Sequence, residues 1–302
     1  MRTSALCKWI SDSLKNQTST LYTTPMNTRR KFIKSAGLLS ATTVLLPQIT
    51  MASTRNSSYG VQLYSFRDEM LANPMKTLEK IASLGFKEIE SAGSSKGYYY
   101  GLTPAQMGKT CKALGMSLTS GHVHLDGKFE QTMADAVASG QEYLICSSMP
   151  SDGQTIDNYK KVAEQFNIAG EACKKHGLKF GYHNHEYEFE SENGEVLYDV
   201  LMDNTQKELV HMELDLGWVV LAEKDPLHYF KKYPGRFPLW HLKDMDVHEK
   251  VSTEFGKGIL DVPLMLEMKE LSGVQHIYIE QEEYASTPFE SMLYNMNYLK
   301  NL

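Results

Sequence analysis

Cysteine is scarce in this chain, four residues in 302. Cys7 stands near the start, and Cys111, Cys146 and Cys173 are spaced too widely for a zinc motif or a disulfide framework. They read as packing residues, with Cys146 inside the apolar run EYLICSS. Long apolar runs are missing too: past residue 52 nothing approaches the roughly 18 consecutive apolar residues of a membrane span. A basic excess is also absent. Of the 31 Lys and Arg, seven lie in residues 1–52 beside a single aspartate, which leaves 24 basic against 36 acidic residues in 53–302, a formal net charge of −12. A protein that binds nucleic acid is expected to carry the opposite balance, so no nucleic-acid partner is expected and a small molecule is. Lastly, the first apolar run, GVQLYS, is followed by FRDEMLANP, with no glycine-rich phosphate loop of the kind an open dinucleotide-binding sheet carries there.

What is present begins with an export pattern. Thr28-Arg29-Arg30-Lys31-Phe32-Ile33-Lys34 has the twin-arginine form, and an apolar stretch from Ala36 to Leu46 and small residues near Met51-Ala52-Ser53 follow it. A charged front, a short apolar middle and a small-residue end describe a signal segment over 1–52. It is either cleaved, to give a periplasmic protein, or kept as an N-terminal anchor. Met26 stands just upstream of the pattern, so residues 1–25 are read as a mis-called start. Twin-arginine export carries folded proteins, which suits a metal taken up before export.

From residue 59 onward an apolar run of strand length, a loop and a segment of helical period repeat eight times. The expected strands are 60–65, 86–90, 117–124, 143–147, 178–185, 210–215, 237–242 and 276–281. The expected helices lie near 74–84, 104–115, 128–139, 155–176, 195–204, 225–233, 261–272 and 287–300. Asn73-Pro74, Thr103-Pro104, Asp225-Pro226 and Thr287-Pro288 each place a capping side chain before a proline of the first turn, and glycines 85, 115, 177 and 273 stand at helix ends. Eight such units in about 250 residues match a closed (β/α)8 TIM barrel. No linker or composition shift interrupts 59–302, so 53–302 is read as one domain.

Four residues stand where four successive strands would stop: His183 in KFGYHNH, Asp215 in VHMELDLGW, His241 in FPLWHLKD and Glu280 in HIYIEQEE. Two imidazoles and two carboxylates suit one divalent ion of the Mn, Co, Zn, Fe or Ni type. If the strands are parallel neighbours, all four converge at the barrel's C-terminal mouth, where such folds do their chemistry. Strand alternation puts His185 on the same side as His183, and the two could exchange the roles of ligand and substrate partner. It also puts Lys243 beside His241, as an enolate-stabilising ammonium, a base, or half of a surface pair with Asp244. Glu282 falls beside Glu280, one of them free for proton transfer. Glu213 faces with Asp215 two residues deeper, which makes it either a buried polar layer or a sign of shifted register. Glu90, His122 and His124 on the second and third strands are read as contacts to substrate hydroxyls or as a second acid/base. Trp218 and the run Tyr98-Tyr99-Tyr100 are expected in loops after strand ends, either covering a sugar ring or packing.

The order HNH, LDLGW, HLKD, IEQEE on eight βα units resembles the xylose isomerase-like barrel superfamily over essentially all of 59–302. That superfamily includes sugar phosphate isomerases and epimerases, inosose dehydratases and relatives of apurinic endonucleases. Similar epimerases hold one divalent ion through Glu, Asp, His and Glu on strands five to eight. The resemblance therefore implies Asp215, His241 and Glu280 as ligands, with His183 standing where the family has a glutamate. In the epimerases the strand-five and strand-eight glutamates are thought to exchange the substrate proton from opposite faces. A histidine at strand five shifts that work to His185, Lys243 or Glu282, an arrangement suited to a lyase or dehydratase.

The expected activity is abstraction of a proton alpha to a sugar carbonyl by a metal-dependent isomerase or epimerase, with a lyase or hydratase acting on a keto-sugar as the alternative. Further alternatives are an endonuclease-like barrel, which the acidic balance disfavours, and a sugar-binding barrel without turnover. Assembly into a homo-oligomer is left open by the sequence.

Overall fold

The computed structural model describes residues 58–302. The export pattern and its cleavage point lie outside them. Eight parallel strands close into a barrel: β1 (Gly60–Gln62), β2 (Glu88–Ser91), β3 (Ser117–Val123), β4 (Tyr143–Cys146), β5 (Lys179–His183), β6 (Val210–Asp215), β7 (Leu239–Leu242) and β8 (His276–Ile279). Each strand pairs with the next, and β8 returns to β1 through Gly60↔Tyr278 and Val61↔Ile279. The principal helices between and after them are α1 (Pro74–Leu84), α2 (Pro104–Ala113), α3 (Phe129–Ser139), α4 (Ile156–Lys175), α5 (Leu197–Asn204), α6 (Pro226–Lys232), α7 (Val262–Glu267) and α8 (Pro288–Lys300). The expected (β/α)8 barrel is the observed fold.

Local chemistry sets the helix ends. The Asn73 side chain accepts from the Lys76 N–H, Asp225 from Leu227 and Thr287 from Glu290, each with proline in the first turn. Thr103 and Gln106 form a reciprocal capping box at α2. Gly85 ends α1 at φ 101°, a left-handed backbone that disfavours any side chain.

The boundaries differ from expectation in instructive places. β1 stops at Gln62 because Leu63–Phe66 turns into a 3₁₀ segment, and β8 stops at Ile279, which leaves Glu280 and Gln281 just past the strand. Glu195 and Val196, expected in a helix, pair instead with Ser191 and Glu192 across Asn193-Gly194, both at positive φ. Asn-Gly is a strong hairpin signal and it prevails over the helical period there. The expected helix 261–272 breaks at Met268, whose N–H makes a tighter turn onto Met265. A second hairpin, Asp244–Asp246 with Val251–Thr253, and a helix Leu216–Leu221 were not expected at all.

Most apolar side chains form one cluster between barrel and helices, while Tyr143, Ile145, Leu239 and Tyr278 form a separate plug inside the barrel. Above the plug comes a polar layer that includes Gln62, Glu90, Ser120 and Glu213, all fully buried. Glu213 is thus the buried polar layer of the two alternatives, and the strand register stands.

The N-terminal mouth is closed by titratable groups. His276 bonds Glu88 at 2.8 Å, the Lys179 ammonium lies 4.6 Å from the centre of the Tyr143 ring, and His211 packs edge-on against the same ring. Burial, then the positive charge of Lys179, push the His211 pKa down to about 4. The unfolded chain protonates His211 near pH 6.5 while the folded chain resists, so this histidine's share of stability is lost as pH falls from about 6.5 towards 4. The melting temperature of the wild type is therefore expected to fall more between pH 7 and pH 4.5 than that of His211→Gln. Equal falls in the two proteins, measured by thermal melts, would show that His211 titrates normally.

Candidate active site

Asp215 is the hinge of the site. It ends β6 and caps the helix Leu216–Leu221, its Oδ1 accepting from the N–H groups of Gly217 (2.8 Å) and Trp218 (3.0 Å). That fixes the carboxylate and turns Oδ2 towards His183 Nε2 (3.3 Å), His241 Nδ1 (3.6 Å) and Lys243 Nζ (2.9 Å). Asn184, facing the opposite way from His183, ties the neighbouring strand end down by accepting from the Asp215 N–H at 3.1 Å. Gly217 is required by proximity: a Cβ there would come 2.9 Å from the Lys243 side chain that crosses the helix's first turn.

His241 lies at the centre. Its Nε2 is 2.7 Å from Glu90 Oε1, and its Nδ1 is 2.9 Å from Glu280 Oε2 and 3.1 Å from His183 Nε2. Glu90 is itself held by Gln62 (2.9 Å) and Ser120 (2.6 Å). A carboxylate anchored in this way keeps the proton on Nε2 and leaves Nδ1 as a lone-pair donor, the usual support for a metal-binding imidazole. Glu90, read from the sequence as a substrate contact or a second acid/base, is fully buried beneath His241 and is not among the residues that line the cleft. Glu90→Gln should keep the fold and weaken divalent-metal affinity by about 10–100-fold. A metal titration of the two proteins checks this, and equal affinities would remove Glu90 from the site.

Donor atoms of His183, Asp215, His241 and Glu280 all lie within 4.8 Å of one another. Donors bound at about 2.1 Å are separated by roughly 3.0 Å on an octahedron edge and 3.4 Å on a tetrahedron edge. The observed separations of 2.9, 3.1, 3.3 and 3.6 Å bracket both. These four separations suit a divalent ion, which would share Asp215 Oδ2 and Glu280 Oε2 with the Lys243 ammonium. His122, His183, Glu213 and His241 form a second, deeper donor group that shares two members with the first.

Charge in the site is organised around Lys243. Its ammonium contacts Asp215 (2.9 Å), Glu280 (2.8 Å) and Glu282 (2.8 Å) and lies 4.5 Å from the centre of the Trp218 ring. Burial opposes the charge, but the three carboxylates override it and hold the lysine pKa well above its ordinary value. Lys243 is therefore an ammonium bound to three acids; Asp244, its alternative partner, is buried and bonded elsewhere. Burial likewise opposes charge on Asp215 and Glu280, yet Lys243 and the adjoining imidazoles hold both well below the carboxylate range. Burial and then Glu90 push Glu213 well above that range. His241, despite burial, is raised by Glu213 and Glu280, so a proton and a metal ion compete for it. His183 and His122 are lowered, chiefly by burial.

Beside these groups a cleft of about 710 Å³ opens at the C-terminal mouth of the barrel. His122, His124, His183, His185, Trp218, Glu280 and Glu282 all line it. His185 stands past the end of β5, stacked on Tyr187, with Nδ1 unpartnered and its pKa pushed down to about 4 by burial and then Lys243. The Glu188 carboxylate bonds the His185 N–H at 2.8 Å and the Tyr182 hydroxyl, which sets the loop. Trp218 belongs to the helix Leu216–Leu221 rather than to a loop. Of the tyrosine run only Tyr98 reaches the cleft; Tyr99 and Tyr100 are buried.

Sequence reasoning missed the support roles of Glu90, Glu188, Asp244 and Gly217. For Gly217 the adjoining Asp215 offered a signal, since a strand-ending aspartate before Leu-Gly can cap a helix. For Glu188 there was none.

The sequence model of the xylose isomerase-like TIM barrel family matches residues 78–302. The chain belongs to that family. A sugar phosphate isomerase/epimerase from Parabacteroides distasonis has the same fold, with a TM-score of 0.73, 26% identity, and coverage of 81% of this chain and 98% of that one. An inosose dehydratase from Clostridium perfringens is 35% identical over 115 residues, 36% of this chain and 38% of that protein, so the match spans little more than a third of the relative. The 3-keto-D-glucoside 4-epimerase of E. coli, at 13% identity, TM-score 0.62 and coverage of 81% and 99%, shares the fold alone. Sugar isomerases, epimerases and dehydratases thus surround the chain within and around its family.

Proposed function

We propose that this protein is a divalent-metal-dependent sugar isomerase or epimerase that removes the proton from the carbon beside a sugar carbonyl. The observation that carries the reading is the convergence of His183 Nε2, Asp215 Oδ2, His241 Nδ1 and Glu280 Oε2 at the ends of four neighbouring strands, where His183 and Glu280 line the cleft, with the Lys243 ammonium between two of them. A divalent ion there would polarise the carbonyl and the adjacent hydroxyl. The proton work falls to the chain. His185 lines the cleft and is held neutral by burial and by Lys243, which makes it the candidate general base. Lys243 can donate to the oxygen that gains charge as the proton leaves, and Glu282, which holds Lys243 and faces the cleft, can return a proton. Glu280 joins the metal set to that relay.

Elimination is the second reading: loss of a β-hydroxyl after the same proton abstraction, as in a dehydratase. It is favoured by His183 at the fifth strand, where a second exchanging carboxylate would otherwise stand, and by the inosose dehydratase similarity. Export by the twin-arginine route is part of the proposal and rests on Arg29-Arg30 and the apolar stretch after them. No described helix is long and apolar enough to cross a membrane.

The test is proton exchange in D2O. Protein loaded with Mn or Co and given ketoses or a 3-keto-glucoside should incorporate deuterium beside the carbonyl, read by NMR. Deuterium uptake with recovery of substrate or its epimer supports isomerisation, loss of water supports elimination, and no uptake across the set rejects the assignment.

A further inference from the structure

We propose that the cleft takes an uncharged sugar and rejects phosphate esters, an inference that rests on the sugar-enzyme reading above. Barrel enzymes that bind phosphate commonly do so with the loops after the last two strands, where backbone N–H groups gather into an anion nest. Here the N–H groups gather, but the chain supplies their anion. Asp244, just past β7, accepts from Met245 (2.9 Å) and Leu260 (2.9 Å) on Oδ1 and from Gly256 (2.9 Å) and Gly258 (3.1 Å) on Oδ2. The fit is close: a Cβ on Gly258 would meet Asp244 Oδ1 at 2.3 Å.

The loop after β8 is equally spent. The Gln281 N–H donates to the Ser65 hydroxyl at 3.1 Å, and the Glu282 and Glu283 N–H groups donate to the Ser252 hydroxyl at 2.7 and 3.1 Å. Ser252 in turn donates to the Glu283 carboxylate at 2.6 Å. Both phosphate-binding loops are thus closed by internal acceptors.

The cleft wall adds like charge. Asp126, Glu280 and Glu282 line it, against Lys128 as the one lysine or arginine among the described lining residues. Lys243 beneath is shared by three carboxylates, and Arg67 is turned to the carbonyls of Tyr64 and Glu282. A dianion entering would meet three acids beside the single lysine Lys128, and both loops that could cradle it already filled. The far wall instead offers Tyr64, Tyr98, Ser94 and His124, rings and hydroxyls that suit a polyhydroxy ring.

Binding of matched pairs to the Mn-loaded protein decides the matter: D-fructose with fructose 6-phosphate, D-tagatose with tagatose 6-phosphate, a 3-keto-glucoside as a larger neutral probe, and inorganic phosphate as competitor. Titration calorimetry is expected to give at least one neutral probe an affinity about tenfold or more above that of any ester, roughly 1.4 kcal/mol, with no competition by phosphate. An ester that binds as tightly, competition by phosphate, or no binding of any neutral probe overturns the inference. Proton exchange on the same samples separates the two proposals. A preferred ester that undergoes exchange overturns the inference and supports the function, whereas a preferred neutral sugar that undergoes no exchange does the reverse.

Discussion

On the proposed reading the wild type is expected to hold about one equivalent of a divalent ion, and His241→Ala should emerge from purification without it, with turnover lower on the order of a thousandfold or more. The imidazole offers Nδ1 to the donor set and is the contact through which Glu90 supports it, so one truncation removes a ligand and its anchor together. It also leaves buried carboxylates unpaired, which threatens the fold. Asp215→Asn is the sharper companion. Asparagine caps a helix as well as aspartate, so the helix Leu216–Leu221 should survive while the carboxylate charge facing His183 and His241 is lost. Elemental analysis and circular dichroism on both variants check the expectation. A folded Asp215→Asn protein with full metal and full turnover would refute the metal assignment.

Lys243→Met is expected to act on stability as well as on chemistry. Without the ammonium, buried Asp215 and Glu280 and half-buried Glu282 are left without their shared counter-charge. Removing one member of a buried charge group costs about 3–5 kcal/mol, so the metal-free variant should melt well below the metal-free wild type. Mn should restore part of the loss, since a divalent cation replaces the missing charge, while turnover stays low because the proton donor is gone. The pH dependence has a definite sign. Asp215 and Glu280 are held below the carboxylate range in the wild type. Their stabilisation is present above the ordinary carboxylate pKa and is lost as pH falls through the depressed values. In Lys243→Met that acid limb should flatten. Equal melting temperatures in the presence of EDTA would mean that Lys243 is not the counter-charge of the site.

Much of this architecture is legible in one dimension because it depends on local rules. Proline after a capping residue starts α1, α2, α6 and α8 where the sequence indicates, and alternation along β6, and along β7 and the residue after it, puts Glu213 with Asp215 and His241 with Lys243. What local rules miss are turns in competition with helices. Asn193-Gly194 took Glu195 and Val196 from an expected helix, and Asp215 began a helix where a loop was expected.

The sequence by itself determined the eight-unit barrel, the family resemblance and the residue types at the ends of strands five to eight, because strand period, capping and the stops of apolar runs are properties of neighbours along the chain. Only the tertiary structure decided what those residues do to one another. Glu90 lies 151 positions from His241 and Lys243 lies 39 from Glu282, yet each pair is in hydrogen-bond contact. Whether a lysine is a base or a bound ammonium, a glutamate a substrate contact or a support, and a ring of backbone amides open or filled depends on burial and on the sign of the nearest charge. Barrel closure brings those together from distant stretches of the chain.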